Sequence, residues 1–227
     1  MLYIVATPIG NLDDLTLRAA KTLMQSDVIL AEDTRSWEIV KQAIVKRFNF
    51  KKNLNQKVVS YYQEKEFEKL PEVLALLEEG KIVSLISESG MPAISDPGTL
   101  LIKTVIKKSL PLQVLPGPTA YVTALAYAGF GFANSLLIGF LPKKASELRK
   151  TINKIKKLKE LEPDMLFVFY ESPNRINQTL TFINELIPDS DLVICRELTK
   201  KFEEITRGKA KELLKRTYRG EITVVLK

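Results

Sequence analysis

The sequence of 227 residues contains no histidine and only one cysteine and one tryptophan. Without imidazole, Ser-His-Asp and Cys-His catalysis are excluded, and so is histidine ligation of a metal. One cysteine excludes an internal disulfide and a thiolate cluster for zinc. Cys195 lies within the apolar run DLVIC and reads as a small buried hydrophobe rather than a nucleophile. No segment approaches the roughly 20 apolar residues that span a bilayer. The N-terminal MLYIVA is too short, and lacks the basic flank, for a signal peptide, so a cytoplasmic protein with no membrane partner is expected. Neither G-x-x-x-x-G-K-[ST] nor G-x-G-x-x-G occurs, so the usual nucleotide-phosphate cradles are missing. Gly/Ser linkers, low-complexity segments and close internal repeats are absent too.

What is present is a globular composition, 45% hydrophobic and 27% charged, with a formal charge of +7 that favours polyanionic partners. Short β-rich runs alternate with longer helical patterns. LYIVA (2–6), VILAE (28–32), KVVSYY (57–62) and KIVSLIS (81–87) read as strands. Helices are expected from Asp13 to Gln25, around Trp37, Val40 and Ile44, through LLEEG with Gly80 as its stop, and over 99–107. After LQVLPG the scheme restarts: PTAYVTALAYAG as a small-residue helix, SLLIGF as a strand, 145–161 as a helix, MLFVFY, a helix over 173–187, DLVIC, and two terminal strands around a short helix. Such alternation predicts parallel strands with crossover helices. The fold class is α/β in two domains, 1–113 and 114–227.

Several strands end in loops rich in Gly, Pro and hydroxyl or carboxylate residues, namely TPIGN, ESGMPAISDPG, PGPTA and YESPNR. Ligands of open parallel sheets bind beyond the carboxyl ends of the strands, so these loops are expected along one edge of each sheet. Taken singly, each loop also has a structural reading. Pro173 behind Ser172 and Pro118 behind Gly117 are placed as first helical residues behind a cap, and Gly98 as the end of a turn. A ligand held by Gly/Pro-shaped backbone beside carboxylates and hydroxyls is neutral or cationic, and S-adenosyl-L-methionine (AdoMet), with its sulfonium, matches that chemistry.

The segments LYIVATPIGNLDDLTLRA, AEDTR, ISESGMPAISDPG, LPGPTA, GFLP, FYESPNR and RELTKKFEE, in this order and spacing, resemble the RsmI family of 16S ribosomal RNA 2′-O-methyltransferases, part of the tetrapyrrole methylase superfamily. The resemblance runs from Leu2 to the final GEITVVLK. It implies two α/β domains with AdoMet in a cleft between them, a homodimer, and methylation of a cytidine ribose in 16S rRNA of the small ribosomal subunit. It also implies that Pro8, Gly10, Ser87, Glu88, Ser89, Gly90, Thr119, Ala120, Tyr170 and Glu171 line the cofactor site. The chain departs from the family where Glu88-Ser89-Gly90-Met91-Pro92 replaces Asp-Ala-Gly-Thr-Pro, where Asn174 replaces His, and where SYYQEKE lacks a His. Many relatives carry a helical C-terminal extension that is not matched here, so RNA affinity is expected to be arranged differently.

Methyl transfer to a ribose hydroxyl needs the hydroxyl held in line and its proton removed. With no histidine, the base is a carboxylate, a lysine or water; the carboxylate candidates at strand ends are Glu88, Asp96, Asp33, Glu171 and Glu197. Arg35, Arg175 and Arg196 lie in the same loops, either as forks for phosphate or as structural partners such as Arg35 for Asp33 and Arg196 for Glu197. The run KKASELRKTINKIKKLKE (143–160) holds eight basic residues against Glu147 and Glu160, and its stripe Leu148, Ile152, Ile155 turns that charge outward, as a solvated face or as an RNA contact. Lys46, Arg47, Lys51 and Lys52 form a second, smaller patch. Of Tyr61 and Tyr62, strand alternation buries one. Two alternatives remain beside the rRNA reading: the same fold methylating a small molecule or a protein, and a non-catalytic RNA-binding relative.

Overall fold

The computed structural model describes residues 1–50, 55–131 and 134–227. Strands β1 (Leu2–Val5), β2 (Val28–Ala31), β3 (Lys57–Ser60), β4 (Val83–Leu85) and β5 (Leu112–Leu115) form one sheet in the order β3-β2-β4-β1-β5, with every pairing parallel. Parallel neighbours cannot be joined by a tight turn. Helices α1 (Leu17–Gln25), α2 (Thr34–Phe48), α3 (Gln63–Glu78) and α4 (Thr99–Lys107) make the crossovers. Alternation along the strands feeds two cores. Val5, Ile29 and Ala31 pack with Ala19, Leu23, Trp37, Val40 and Ile44 on one face. Leu2, Ile4, Val28 and Leu30 pack with Val73, Leu77, Leu101 and Val105 on the other. Each such large aliphatic side chain contributes about 1.5–3 kcal/mol by leaving water. These elements constitute a compact unit, residues 1–119.

The second unit, residues 120–227, has strands β6 (Ser135–Phe140), β7 (Leu166–Glu171), β8 (Asp191–Arg196), β9 (Glu204–Lys209) and β10 (Ile222–Leu226) in the order β6-β7-β10-β8-β9. Helices α6 (Ala145–Leu161), α7 (Ile176–Leu186) and the short α8 (Ala210–Leu213) cover one face, where Leu148, Ile152, Ile155, Leu180 and Ile183 bury against Phe167, Phe169, Ile194 and Val224. Helix α5 (Ala120–Ala128) lies against β7, β8 and β10 and buries Ala124 and Ala128. Cys195 is buried, and that burial pushes its thiol up to about 12, so it is inert packing at neutral pH. Tyr61 is the buried member of its pair, at 1% exposure.

Four expectations are corrected. The second sheet is mixed: only β6 and β7 are parallel, whereas β10 runs antiparallel to β7 and β8, and β9 antiparallel to β8. The chain between β8 and β9 holds no helix, so it can only turn back. The helix expected from Asp13 divides into a 3-10 turn, Leu12–Asp14, and α1, because Asn11 caps the first and Thr16 accepts from the Ala19 amide to start the second. Helix α7 begins at Ile176 rather than 173, after a turn in which the Ser172 carbonyl accepts from the Arg175 and Ile176 amides. The division between units falls after Thr119 rather than after 113, since β5 pairs with β1 through Val5 and Leu115. Among the described residues, no helix is long and apolar enough to cross a membrane. Lys51 and Lys52 lie outside the described residues; Arg47 is paired with Asp13 at 2.8 Å.

Candidate active site

In the first unit, Leu85 registers with Ile4 and Leu30, and Leu115 with Val5, so β1, β2, β4 and β5 end level and their loops leave one edge. Those loops are tied together. Thr7, just past β1, exchanges backbone hydrogen bonds with Gly90 beyond β4, donating at 2.9 Å and accepting at 3.2 Å. The buried Thr7 hydroxyl donates to the Ser87 carbonyl at 3.1 Å, and the Ser87 hydroxyl donates to the Gly90 carbonyl at 3.1 Å. Gly90 holds φ +82°, a conformation other residues adopt at a cost. A Cβ on Gly117, after β5, would stand 2.8 Å from the Ala6 Cβ, so only glycine lets that loop approach β1. Pro8 is buried in this cradle, Gly10 and Ser89 are exposed beside it, and Thr119 is half-buried at the end of the unit.

The loop from Gly90 to Gly98 is unusually bent: Ala93 and Ser95, neither of them glycine, hold φ of 64° and 103°. Backbone of this kind costs energy and persists only where the surroundings fix it. It presents Asp96, half-buried, near Glu88. Burial first and the Glu88 charge second raise the Asp96 carboxyl above its ordinary range. Glu32, the residue after β2, is raised likewise by burial and then by Glu88, Asp96 and Glu64. The only hydrogen bond to the Glu88 carboxylate among the described residues is a long one, 3.5 Å from the Ser36 hydroxyl. Glu32 was missed in the sequence, although it stands inside AEDTR; the signal available was its place directly after a strand.

Asp33 is committed elsewhere. It caps α2, accepting from the Arg35 amide at 2.8 Å and from the Arg35 guanidinium at 2.6 Å, and these bonds hold its carboxyl below the usual range. Arg35 is correspondingly occupied by a partner two residues away.

In the second unit, β10 lies between β7 and β8, with Ile222 opposite both Glu171 and Arg196. The loops after those strands are ion-paired rather than open. Glu171, 2% exposed at the end of β7, accepts at Oε1 from the Ser172 amide at 2.8 Å and from Arg175 through both Nε and Nη2. Its Oε2 accepts from the Thr179 hydroxyl at 2.7 Å. Arg175 Nη2 also donates to the Leu141 carbonyl at 3.1 Å, which ties GFLP to FYESPNR; its Nη1 is buried with no partner among the described residues. Tyr170 stands by Phe140, their rings 5.5 Å apart. Ala120 opens α5.

Glu197, at φ 52°, accepts from the Glu221 amide at 2.9 Å and from Lys200 at 3.2 Å, and these lower its carboxyl pKa, the Glu221 amide most. A Cβ on Gly220 would collide with the Glu197 carboxylate, so the glycine makes room for that side chain. Arg196 pairs with Glu204 at 3.2 Å, not with Glu197. Five carboxylates therefore divide into two groups: Glu88 and Asp96 stand open, and Asp33, Glu171 and Glu197 are held by donors.

Other proteins share this chain's pattern. The family model for tetrapyrrole (corrin/porphyrin) methylases matches residues 1–214. The chain is 40% identical over 229 residues to ribosomal RNA small subunit methyltransferase I of Thermotoga maritima, covering 99% of this chain and 97% of that protein. It is 37% identical to the protein of the same name from Hydrogenobaculum sp., covering 99% and 94%. Among solved structures it is similar to the methyltransferase CobJ, with TM-score 0.70 and 17% identity, covering 99% of this chain and 92% of that one. It is also similar to the uroporphyrin-III C-methyl transferase of Thermus thermophilus complexed with S-adenyl homocysteine, with TM-score 0.62 and 16% identity over 99% and 96% of the two chains.

Proposed function

The chain belongs to the tetrapyrrole (corrin/porphyrin) methylase family and, within it, to the ribosomal RNA small subunit methyltransferase I proteins, and from that premise we propose that it methylates the 2′ hydroxyl of a cytidine ribose in 16S rRNA, using AdoMet. The observation that carries the chemistry is the open pair of carboxylates, Glu88 and Asp96, beside the stitched cradle of Thr7, Ser87 and Gly90.

The residues present fit a sulfonium cofactor. Gly90 and Gly117 keep the cradle's backbone bare, and Glu32, Glu88 and Asp96 gather negative charge at its rim. Pro8, Gly10, Ser87, Ser89 and Gly90 are the proposed contacts from the first unit. When bound, AdoMet supplies a methyl group already activated for displacement. Asp96 is the proposed base, because burial and Glu88 bring its basicity nearer to that of the hydroxyl whose proton it accepts. Glu88 acts beside it, raising the Asp96 pKa and facing the cation. Glu171 and Arg175 hold the loop after β7 in shape. A homodimer working in the cytoplasm on the small ribosomal subunit completes the reading, both points resting on the family.

Incubating the protein with labelled AdoMet and unmodified small ribosomal subunits, then mapping the label, tests the reading. One labelled cytidine ribose is expected. Label on a base, or none on the subunit while a tetrapyrrole accepts it, would overturn it.

A further inference from the structure

The net charge is divided unequally. Residues 1–119 contain fifteen Lys and Arg against fourteen Asp and Glu, and residues 120–227 nineteen against thirteen. Much of that excess lies on and just before α6. Opposite its buried stripe Leu148, Ile152 and Ile155, positions 150, 154 and 157 fall on one outward line at spacings of four and three residues, and all three are lysine. They extend over about 10 Å of helix.

Two features of α6 oppose its own stability. Like charges one turn apart repel. Lys143 and Lys144 stand at the amino end of the helix, where the backbone dipole disfavours cations, and Lys144 occupies the cap position without any side-chain cap bond. Part of the charge is neutralised at home: Arg149 pairs with Glu185 and Lys150 with Glu147, each at 2.8 Å. Lys143, Lys144, Lys154 and Lys157 are exposed and have no ion-pair partner among the described residues. The neighbouring α7 exposes the uncharged Asn177, Gln178 and Thr181, and its one carboxylate, Glu185, is the residue paired with Arg149.

We propose that the exposed lysines at the amino end of α6, Lys143 and Lys144, and on its outward face, Lys154 and Lys157, form a contact surface for the phosphodiester backbone of RNA. This rests on the rRNA reading above and deepens it by placing a contact on an element other than the loops that carry the chemistry. Lysine point charges neutralise phosphates without selecting a base. An acidic protein partner is disfavoured because the line holds no aromatic or arginine anchor of the kind that dominates protein interfaces. A membrane surface is disfavoured because the apolar stripe of α6 is already buried in the core.

The test uses the full chain and a variant carrying Lys144→Gln, Lys154→Gln and Lys157→Gln, with deproteinised 16S rRNA and intact small subunits as probes. Binding is measured from 50 to 200 mM salt, and AdoMet affinity by calorimetry. Each lost phosphate contact should lower the slope of log K against log salt by about 0.7–0.9, which is about five- to eightfold in affinity at 0.1 M salt relative to 1 M. The triple variant should therefore bind both probes roughly a hundredfold or more weakly, with a raised KM for RNA, an unchanged kcat and unchanged AdoMet affinity. Lys→Arg at the same positions should restore binding. Unchanged slope and affinity in the variant, with the wild type binding and methylating normally, would overturn this proposal alone. Loss of binding to intact subunits but not to deproteinised rRNA would overturn it in favour of an acidic ribosomal protein. A wild type that neither binds nor methylates either probe would overturn it together with the functional reading.

Discussion

The loop edges of the two units use charge in opposite ways. Past β1, β4 and β5 the first unit binds its loops together through backbone and hydroxyl groups, and among the described residues Glu88 and Asp96 have no close donor. Past β7 and β8 the second unit closes its carboxylates inside ion pairs, Glu171 on Arg175 and Glu197 on Lys200. A carboxylate already bonded by several donors is a poor base, because those bonds stabilise its charged form. One left half-buried among other negative charges is a better one. We therefore propose proton transfer at the first edge and support at the second.

Asp96→Asn should break the contrast most severely. A general base contributes about a hundred- to ten-thousandfold, so the single-turnover methyl transfer rate should fall on that scale with AdoMet affinity largely kept. Its thermal stability should hold or rise slightly. The Asp96 pKa is raised by folding, so ionisation opposes the fold as pH rises past the ordinary carboxylate value, and the amide removes that opposition.

Glu171→Gln should do the reverse. Stranding Arg175 should cost about 2–4 kcal/mol of stability, measured by denaturant unfolding; Arg175 keeps some solvent, which moderates the loss. The transfer rate per folded molecule should change far less than in Asp96→Asn. Gly90→Ala, at φ +82°, should cost about 1–2 kcal/mol and loosen AdoMet binding, seen by calorimetry. Glu197→Gln is the smallest change, about 1 kcal/mol at neutral pH. The Glu197 pKa is lowered by folding, so its contribution is present above the ordinary carboxylate value and disappears as pH falls through the depressed one. Wild type and variant should therefore converge in stability in acid.

Periodicity made the elements of this chain legible. The helices over 99–107 and 145–161 have the bounds read from the sequence, because an apolar stripe of period 3.6 is a local property. The antiparallel direction of β10 was not legible, since a run such as ITVVL carries no sign of its neighbours. The candidate loops could be found as a class from strand ends punctuated by Gly and Pro. Their internal bonding could not, because the donors for Glu197 come from Lys200 and from the distant Glu221 amide, and those for Glu171 include Thr179 a full strand-to-helix turn away. Glu66 makes the same point: from α3 it accepts from the Leu100 and Leu101 amides and so satisfies the start of α4, which has no cap side chain of its own. Separating an open carboxylate from a bonded one requires the fold.

The pH dependence of single-turnover methyl transfer to unmodified small subunits, compared among wild type, Asp96→Asn and Glu171→Gln, tests the division of labour most directly. The account predicts a rate that climbs with pH through a group titrating above the ordinary carboxylate range, a climb retained by Glu171→Gln and abolished with the activity in Asp96→Asn. Full activity with the same climb in Asp96→Asn, or its disappearance in a folded Glu171→Gln, would contradict it.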